Sequence, residues 1–191
     1  MVANDINISS NDYFEISEYE GTLESVIKKE NLCQERFDEL INLNMLSLPI
    51  KKYRDKEGNF FYIAVRDFYL YCKKESSENY FDFCTEKNQY KDIALHANEL
   101  FLGTFIIKDI VLPFFLNLLS GFISNKLADK DNKITINIIV QNTSTNESTK
   151  YSFSGTNNDF NEKVIKTLST YNKNGKINKI EQSGEAIDVL Y

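Results

Sequence analysis

Phe101-Leu102-Gly103-Thr104-Phe105-Ile106-Ile107-Lys108-Asp109-Ile110-Val111-Leu112-Pro113-Phe114-Phe115-Leu116-Asn117-Leu118-Leu119-Ser120-Gly121-Phe122-Ile123 is the stretch on which the reading of this chain turns. Fifteen of its twenty-three residues are large and apolar. A membrane-spanning helix needs about 20 apolar residues with few or no charges, and Lys108-Asp109 interrupts this run. The uninterrupted remainder, 110–123, would rise about 21 Å as a helix, short of a hydrocarbon layer about 30 Å thick. The spacing predicts two helices meeting near 108–113. Pro113 has no N–H and suits the first turn of the second helix. In that helix Phe115, Leu118, Leu119 and Phe122 share a face with Phe114 beside it. Asn117, Ser120, Gly121 and Ser124 form a narrow stripe of small polar residues. A helix apolar around most of its circumference has to be covered on several sides. The cover is expected from the flanking parts of the chain or from another protein chain, with Phe114, Phe115, Leu118, Leu119 and Phe122 as candidate protein-interface residues.

Upstream, residues 75–92 are polar and read as a boundary. Gly21-Thr22 opens a helix with Thr22 as N-cap and Leu23, Val26 and Ile27 on its apolar face. A second helix is expected from Asn31, with Gln34 completing a capping box. Leu46 to Tyr53 reads as extended, entered through Pro49. Residues 55–59 read as a turn, and 60–65 as a strand from their aromatic and branched content. A third helix follows, ending near Lys74. Helix, helix, hairpin and helix over residues 21–74, with Leu48-Pro49-Ile50-Lys51-Lys52-Tyr53, Gly58, Phe61-Tyr62-Ile63 and Val65-Arg66-Asp67, resembles the winged helix-turn-helix of the excisionase and MerR-like families. That resemblance implies a DNA-reading second helix and a hairpin wing, with Lys51, Lys52, Arg54 and Lys56 as nucleic-acid-binding residues. The helix at 33–43 departs from the pattern. It carries Glu35, Asp38 and Glu39 against one arginine, Arg36, which disfavours a phosphate backbone.

Downstream, Ile134, Ile136 and Ile138 alternate with Thr135 and Asn137, and Tyr151 and Phe153 alternate with serines. The two runs predict an antiparallel hairpin across a polar loop at 142–149. A helix is expected over 159–171, then short strands at 176–181 and 186–190.

Little in the 191 residues points to catalysis. Lys plus Arg is 22 and Asp plus Glu is 28, a net charge of −6. Such a balance does not supply a general nucleic-acid binder. Seven glycines, widely spread, form no phosphate loop. Cys33, Cys72 and Cys84 have no metal spacing and form no disulfide framework. Without a basic n-region or an apolar h-region at Met1–Ile6, the expected address is the cytoplasm. His96 stands three residues from Glu99 and could share its helix face, but no nucleophile or metal partner accompanies the pair. Glu35, Asp38 and Glu39 read as solvated helix charges. No catalytic, cofactor or metal residue is therefore assigned.

The expectation is an α+β protein: a winged-helix-like unit at 1–78, an apolar helical hairpin at 79–128 and a small hairpin-and-helix unit at 129–191. Its expected role is a non-enzymatic interaction or adaptor component that binds itself or a larger complex. A DNA-binding regulator is the first alternative. A membrane-active protein using 101–123 is the second, disfavoured because interfacial helices carry a charged opposite face.

Overall fold

A computed structural model describes residues 12–76, 80–95, 99–127 and 132–171. Its strands are β1 (Tyr13–Tyr19), β2 (Met45–Leu48), β3 (Ile50–Tyr53), β4 (Lys56–Tyr62), β5 (Phe81–Phe83), β6 (Tyr90–Ile93), β7 (Glu99–Lys108), β8 (Lys133–Gln141) and β9 (Ser148–Thr156). Its helices are α1 (Leu23–Lys29), α2 (Gln34–Ile41), α3 (Ile63–Glu75) and α4 (Leu112–Lys126). A last helical run, α5, joins a turn at Asn157–Asp159, a π-helical stretch at Phe160–Ile165 and a final turn at Lys166–Ser169. The molecule is a mixed α/β fold.

The first half of the decisive stretch is a strand, which corrects the expected apolar helical hairpin. β7 lies inside a six-stranded sheet of order β1-β9-β8-β7-β2-β5. It runs antiparallel to β2 on one side and parallel to β8 on the other. A strand buried on both faces needs apolar residues at every position. It therefore loses the alternation that marks a half-exposed strand and reads like a buried helix. Phe105 and Ile107 face a core built with Phe68 of α3, Phe115 and Leu119 of α4 and Phe160 of α5. Ile106, between them, faces the opposite core with Leu23, Val26 and Ile27 of α1 and Leu40 of α2. The sheet is thus covered by helices on two sides.

The second half is a helix as expected, with Pro113 in its first turn. Together β7, α4 and β8 make a parallel crossover unit. The stretches 1–78, 79–128 and 129–191 all contribute strands to this one sheet.

A second sheet, β3-β4-β6, stands beside the first. A hairpin forms in the expected region, but it turns at Arg54-Asp55 rather than over 55–59, and its second strand already begins at Lys56 and ends at Tyr62, so the helix starts at Ile63, earlier than the composition of 60–65 indicated. The polar boundary at 75–92 contains two strands, β5 and β6, with Phe81 and Phe83 buried. α1 has its N-cap at Thr22, and the capping box forms there, with Ser25 as the reciprocal partner. The second helix begins at Gln34 rather than Asn31 because Asn31 takes a left-handed φ of 51° as the link between helices. The predicted strands at 176–181 and 186–190 lie outside the described residues.

Gly103 interrupts β7 at a bulge, with φ of +64°. An added Cβ would have room, since its nearest neighbour is Tyr62 Cδ2 at 3.7 Å. Gly103→Ala therefore tests backbone strain alone. It is expected to lower stability by about 1–2 kcal/mol, read as a shift in the urea midpoint at unchanged slope.

Candidate functional site

α4 has two working sides. Phe115, Leu119 and Phe122 are 0%, 0% and 2% exposed, and Leu118 is buried beside them. All four sit in the chain's own core, where Phe68 meets Phe115 at 6.0 Å and Phe122 at 5.2 Å between ring centroids. Phe114 is half-buried, edge-on to Tyr80 at 5.2 Å. The expected partner-facing surface is thus packed against α3 and β7 of the same chain, because the strand at 99–108 supplies the apolar cover the helix needed.

The other side of α4 forms a groove. Pro113, Leu116, Asn117 and Ser120 make one wall, and Ile165, Leu168, Ser169 and Tyr171 from the end of α5 make the other. Asp109, Ile110 and Leu112 close the end nearest β7. The volume is about 400 Å³. Leu112, Leu116 and Leu168 form a buried floor, while Ile110 is 60% exposed on the lip. The groove opens at the carboxyl ends of the parallel pair β7 and β8, where crevices form in open α/β sheets. Asp109 Oδ1 ties those two ends together, accepting from the Thr143 hydroxyl at 2.8 Å and the Thr143 N–H at 3.3 Å. Burial pushes the Tyr171 phenol above its ordinary value, with the Asn142 side chain acting in the other direction. The polar lining is one carboxylate already held, an amide, two hydroxyls and a phenol. Such a set can orient a bound group by hydrogen bonds above an apolar floor.

A partly buried polar network mounts the small sheet on α1 and α2. Lys51 pairs with Glu30 at the end of α1 and donates to Asn59 Oδ1 at 2.8 Å. Asn59 Nδ2 donates to Thr85 Oγ1 at 2.8 Å and Gln89 Oε1 at 3.2 Å. Arg36, 5% exposed, donates to the carbonyls of Thr85 and Phe83, both at 3.1 Å. It also pairs with Glu39 at 2.7 Å and Asp82 at 3.3 Å.

The basic residues of the expected wing are divided by this network. Lys51 is committed to Glu30. Lys52 and Lys56 are exposed on the hairpin, and Arg54 lies over the Tyr53 ring at 5.3 Å. Glu35, Asp38 and Glu39 are exposed on α2, where Gln34 donates to Asp38 and Glu39 also pairs with Lys87. Among the described residues no group of three His, Cys, Asp or Glu side chains is placed to hold a metal. No helix among them is long and apolar enough to cross a membrane. His96 lies outside the described residues. Reading the sequence missed the inward turn of Arg36; its one signal was a lone arginine set among three carboxylates. The groove was foreshadowed by the stripe Asn117 and Ser120.

Comparison with family models, with curated proteins and with solved structures finds no match for this chain.

Three outcomes follow from these placements. Arg36→Leu removes the side-chain donor from the Phe83 and Thr85 carbonyls and the cation from Asp82, which keeps, among the described residues, only the Phe83 N–H at 2.7 Å, so it is expected to cost about 3–5 kcal/mol in chemical denaturation. The hydrogen bond from Arg36 holds Glu39 below the ordinary carboxylate value of 4.5. A depressed folded pKa adds stability above that ordinary value, and the gain is lost as pH falls through the folded one. The decline in stability on acidification should therefore be shallower in Arg36→Leu than in the parent protein. Separately, burial pushes the Cys72 and Cys84 thiols up to about 12, while Cys33 is exposed. A thiol reagent at neutral pH should label Cys33 alone in the folded protein and all three thiols after unfolding, counted by mass spectrometry.

Proposed function

We propose that the protein is a non-enzymatic interaction component that holds an apolar-faced segment of a partner protein in the groove between α4 and α5. The observation that carries this reading is Ile110, a large apolar side chain 60% exposed at the lip of an apolar-floored groove of about 400 Å³. Volumes of about 300–1,000 Å³ with apolar floors and a few fixed polar groups are those that take a ligand or an anchoring side chain. Recognition of an amphipathic helix uses the same construction, with anchors entering at helical spacing. Asp109 at the closed end disfavours an acidic partner segment there.

The same reading takes the helix, helix, hairpin and helix of residues 21–74 as a packing unit. Arg36 turns inward from the helix that would read bases. Glu35, Asp38 and Glu39 stand on the outer side of that helix and repel a phosphate backbone.

A photo-reactive benzophenone side chain placed at position 110, with one at exposed Glu57 as control, tests the groove in cells of the native host. One discrete protein adduct from position 110, absent from position 57 and lost when Ser120→Trp fills the groove, is the expected result. No adduct at 110, or equal adducts at both positions, would overturn it.

A further inference from the structure

β1 is the last strand of the six-stranded sheet, seven residues long, and among the described residues its outer edge carries no strand. A long open edge is a template for another strand and is usually blunted by a bulge, a proline or charged side chains, lysine above all. β1 has no bulge, proline or lysine in Tyr13-Phe14-Glu15-Ile16-Ser17-Glu18-Tyr19; its charges are Glu15 and Glu18, either side of Ile16 and Ser17, and its pairing with β9 is regular along its whole length. At its centre Ile16 is 46% exposed.

We propose that β1 is the seam of a two-fold dimer, pairing antiparallel with β1 of a second copy about Ile16. The surface is separate from the groove and stands on its own observations. Directly opposed residues of an antiparallel pair point to the same side of the sheet. An axis perpendicular to the sheet that preserves the faces can therefore pass through Glu15, Ile16, Ser17 or Glu18. Centring on Glu15 or Glu18 sets a carboxylate against its own copy, which is destabilising. Centring on Ser17 sets the exposed Ile16 against Glu18 and Glu15 against Tyr19, so Ile16 gains no apolar partner and Glu15 no basic neighbour across the seam. Centring on Ile16 sets Ile16 against Ile16, Glu15 against Ser17, Phe14 against Glu18 and Tyr13 against Tyr19. No like charges meet in that register.

The neighbouring strands extend the match on both faces. Tyr151 is the β9 partner of Ile16, and Ile138 is the β8 partner of Tyr151. The apolar row Ile138–Tyr151–Ile16 would run across the axis into the same row of the second copy, removing Ile16 from water. On the other face Lys150 is the β9 partner of Ser17. Glu15 of one copy would then stand two strands, about 9.6 Å at the usual spacing, from Lys150 of the second. Extended side chains close that gap. Neither Glu15 nor Lys150 forms an ion pair with a described residue. The two-fold would supply both with a partner, twice over. Closed two-fold pairing also satisfies the edge in each copy, whereas an offset pairing would leave edges free to extend.

The test uses the full chain. Light scattering at micromolar concentration should give twice the chain mass. Ile16→Lys should raise the dimer dissociation constant about tenfold or more, by replacing an apolar pair with opposed lysines, at an unchanged circular-dichroism spectrum. In a Cys33→Ser background, Ile16→Cys should cross-link to a disulfide dimer with diamide as the two-electron oxidant, since opposed Cα atoms stand about 4.5–5.5 Å apart. Glu18→Cys should not, because its two copies lie about 14 Å apart along the seam. A monomer in solution, a dimer indifferent to Ile16→Lys, or equal cross-linking at 16 and 18 would overturn the proposal. Each of these leaves the adduct at position 110, and the groove reading with it, unaffected.

Discussion

Burying both faces of β7 is the constraint that organises the molecule. The strand carries Phe105, Ile106 and Ile107 at 0% exposure, so helices have to be supplied on two sides of the sheet. α3, α4 and α5 supply one side and α1 and α2 the other. Phe68 shows how closely the first side is built. Its ring meets Phe81 of β5, Phe105 of β7 and both Phe115 and Phe122 of α4 at 5.2–6.0 Å. Edge and tilted geometries of this kind add about 0.5–1.5 kcal/mol per pair beyond the area buried. Two parallel crossovers, β2 to β5 and β7 to β8, then follow, because parallel neighbours need a connection that passes over the sheet.

The same constraint separates the two sides of α4. Once β7 and α3 have taken Phe115, Leu118, Leu119 and Phe122, the helix has only its small polar side left for other work. Asn117 and Ser120 keep that side low enough for a groove to remain between α4 and α5. Gly121 lies close by for a different reason. The Tyr71 hydroxyl would be 2.6 Å from any Cβ there, so α3 and α4 approach closely at that turn. Polar atoms organise the opposite end of the molecule. Arg36, Asn59 and Thr85 fasten the small sheet and the 84–89 loop to α2 through buried hydrogen bonds. Lys51 adds a tie to the end of α1.

Much of the local structure was legible in the residues. Thr22 as N-cap, Pro113 at the start of α4, and the alternation of Ile134, Ile136 and Ile138 against Tyr151 and Phe153 each follow from a short-range rule. The start of α2 was misplaced because Asn31 satisfies the composition rule for a helix start but adopts the left-handed conformation of a link. β5 and β6 were hidden because they are three and four residues long and lie among charged and polar neighbours. Which of the two expected covers encloses the apolar face of α4 was not legible, for a different cause. An apolar helix announces that it needs cover, but its composition says nothing about which chain provides it.

By itself the sequence determined where most helices and hairpins lie, the acidic character of α2, and the need for Phe101 to Ile123 to be enclosed. Only the tertiary structure decided that 99–108 is a strand, that Arg36 points inward, and that the groove lies on the polar side of α4. Capping, turns and alternation depend on residues a few positions apart. Whether an unbroken apolar run becomes a strand or a helix depends on what packs against both of its faces, here residues from α1 to α5 spread along nearly the whole described chain.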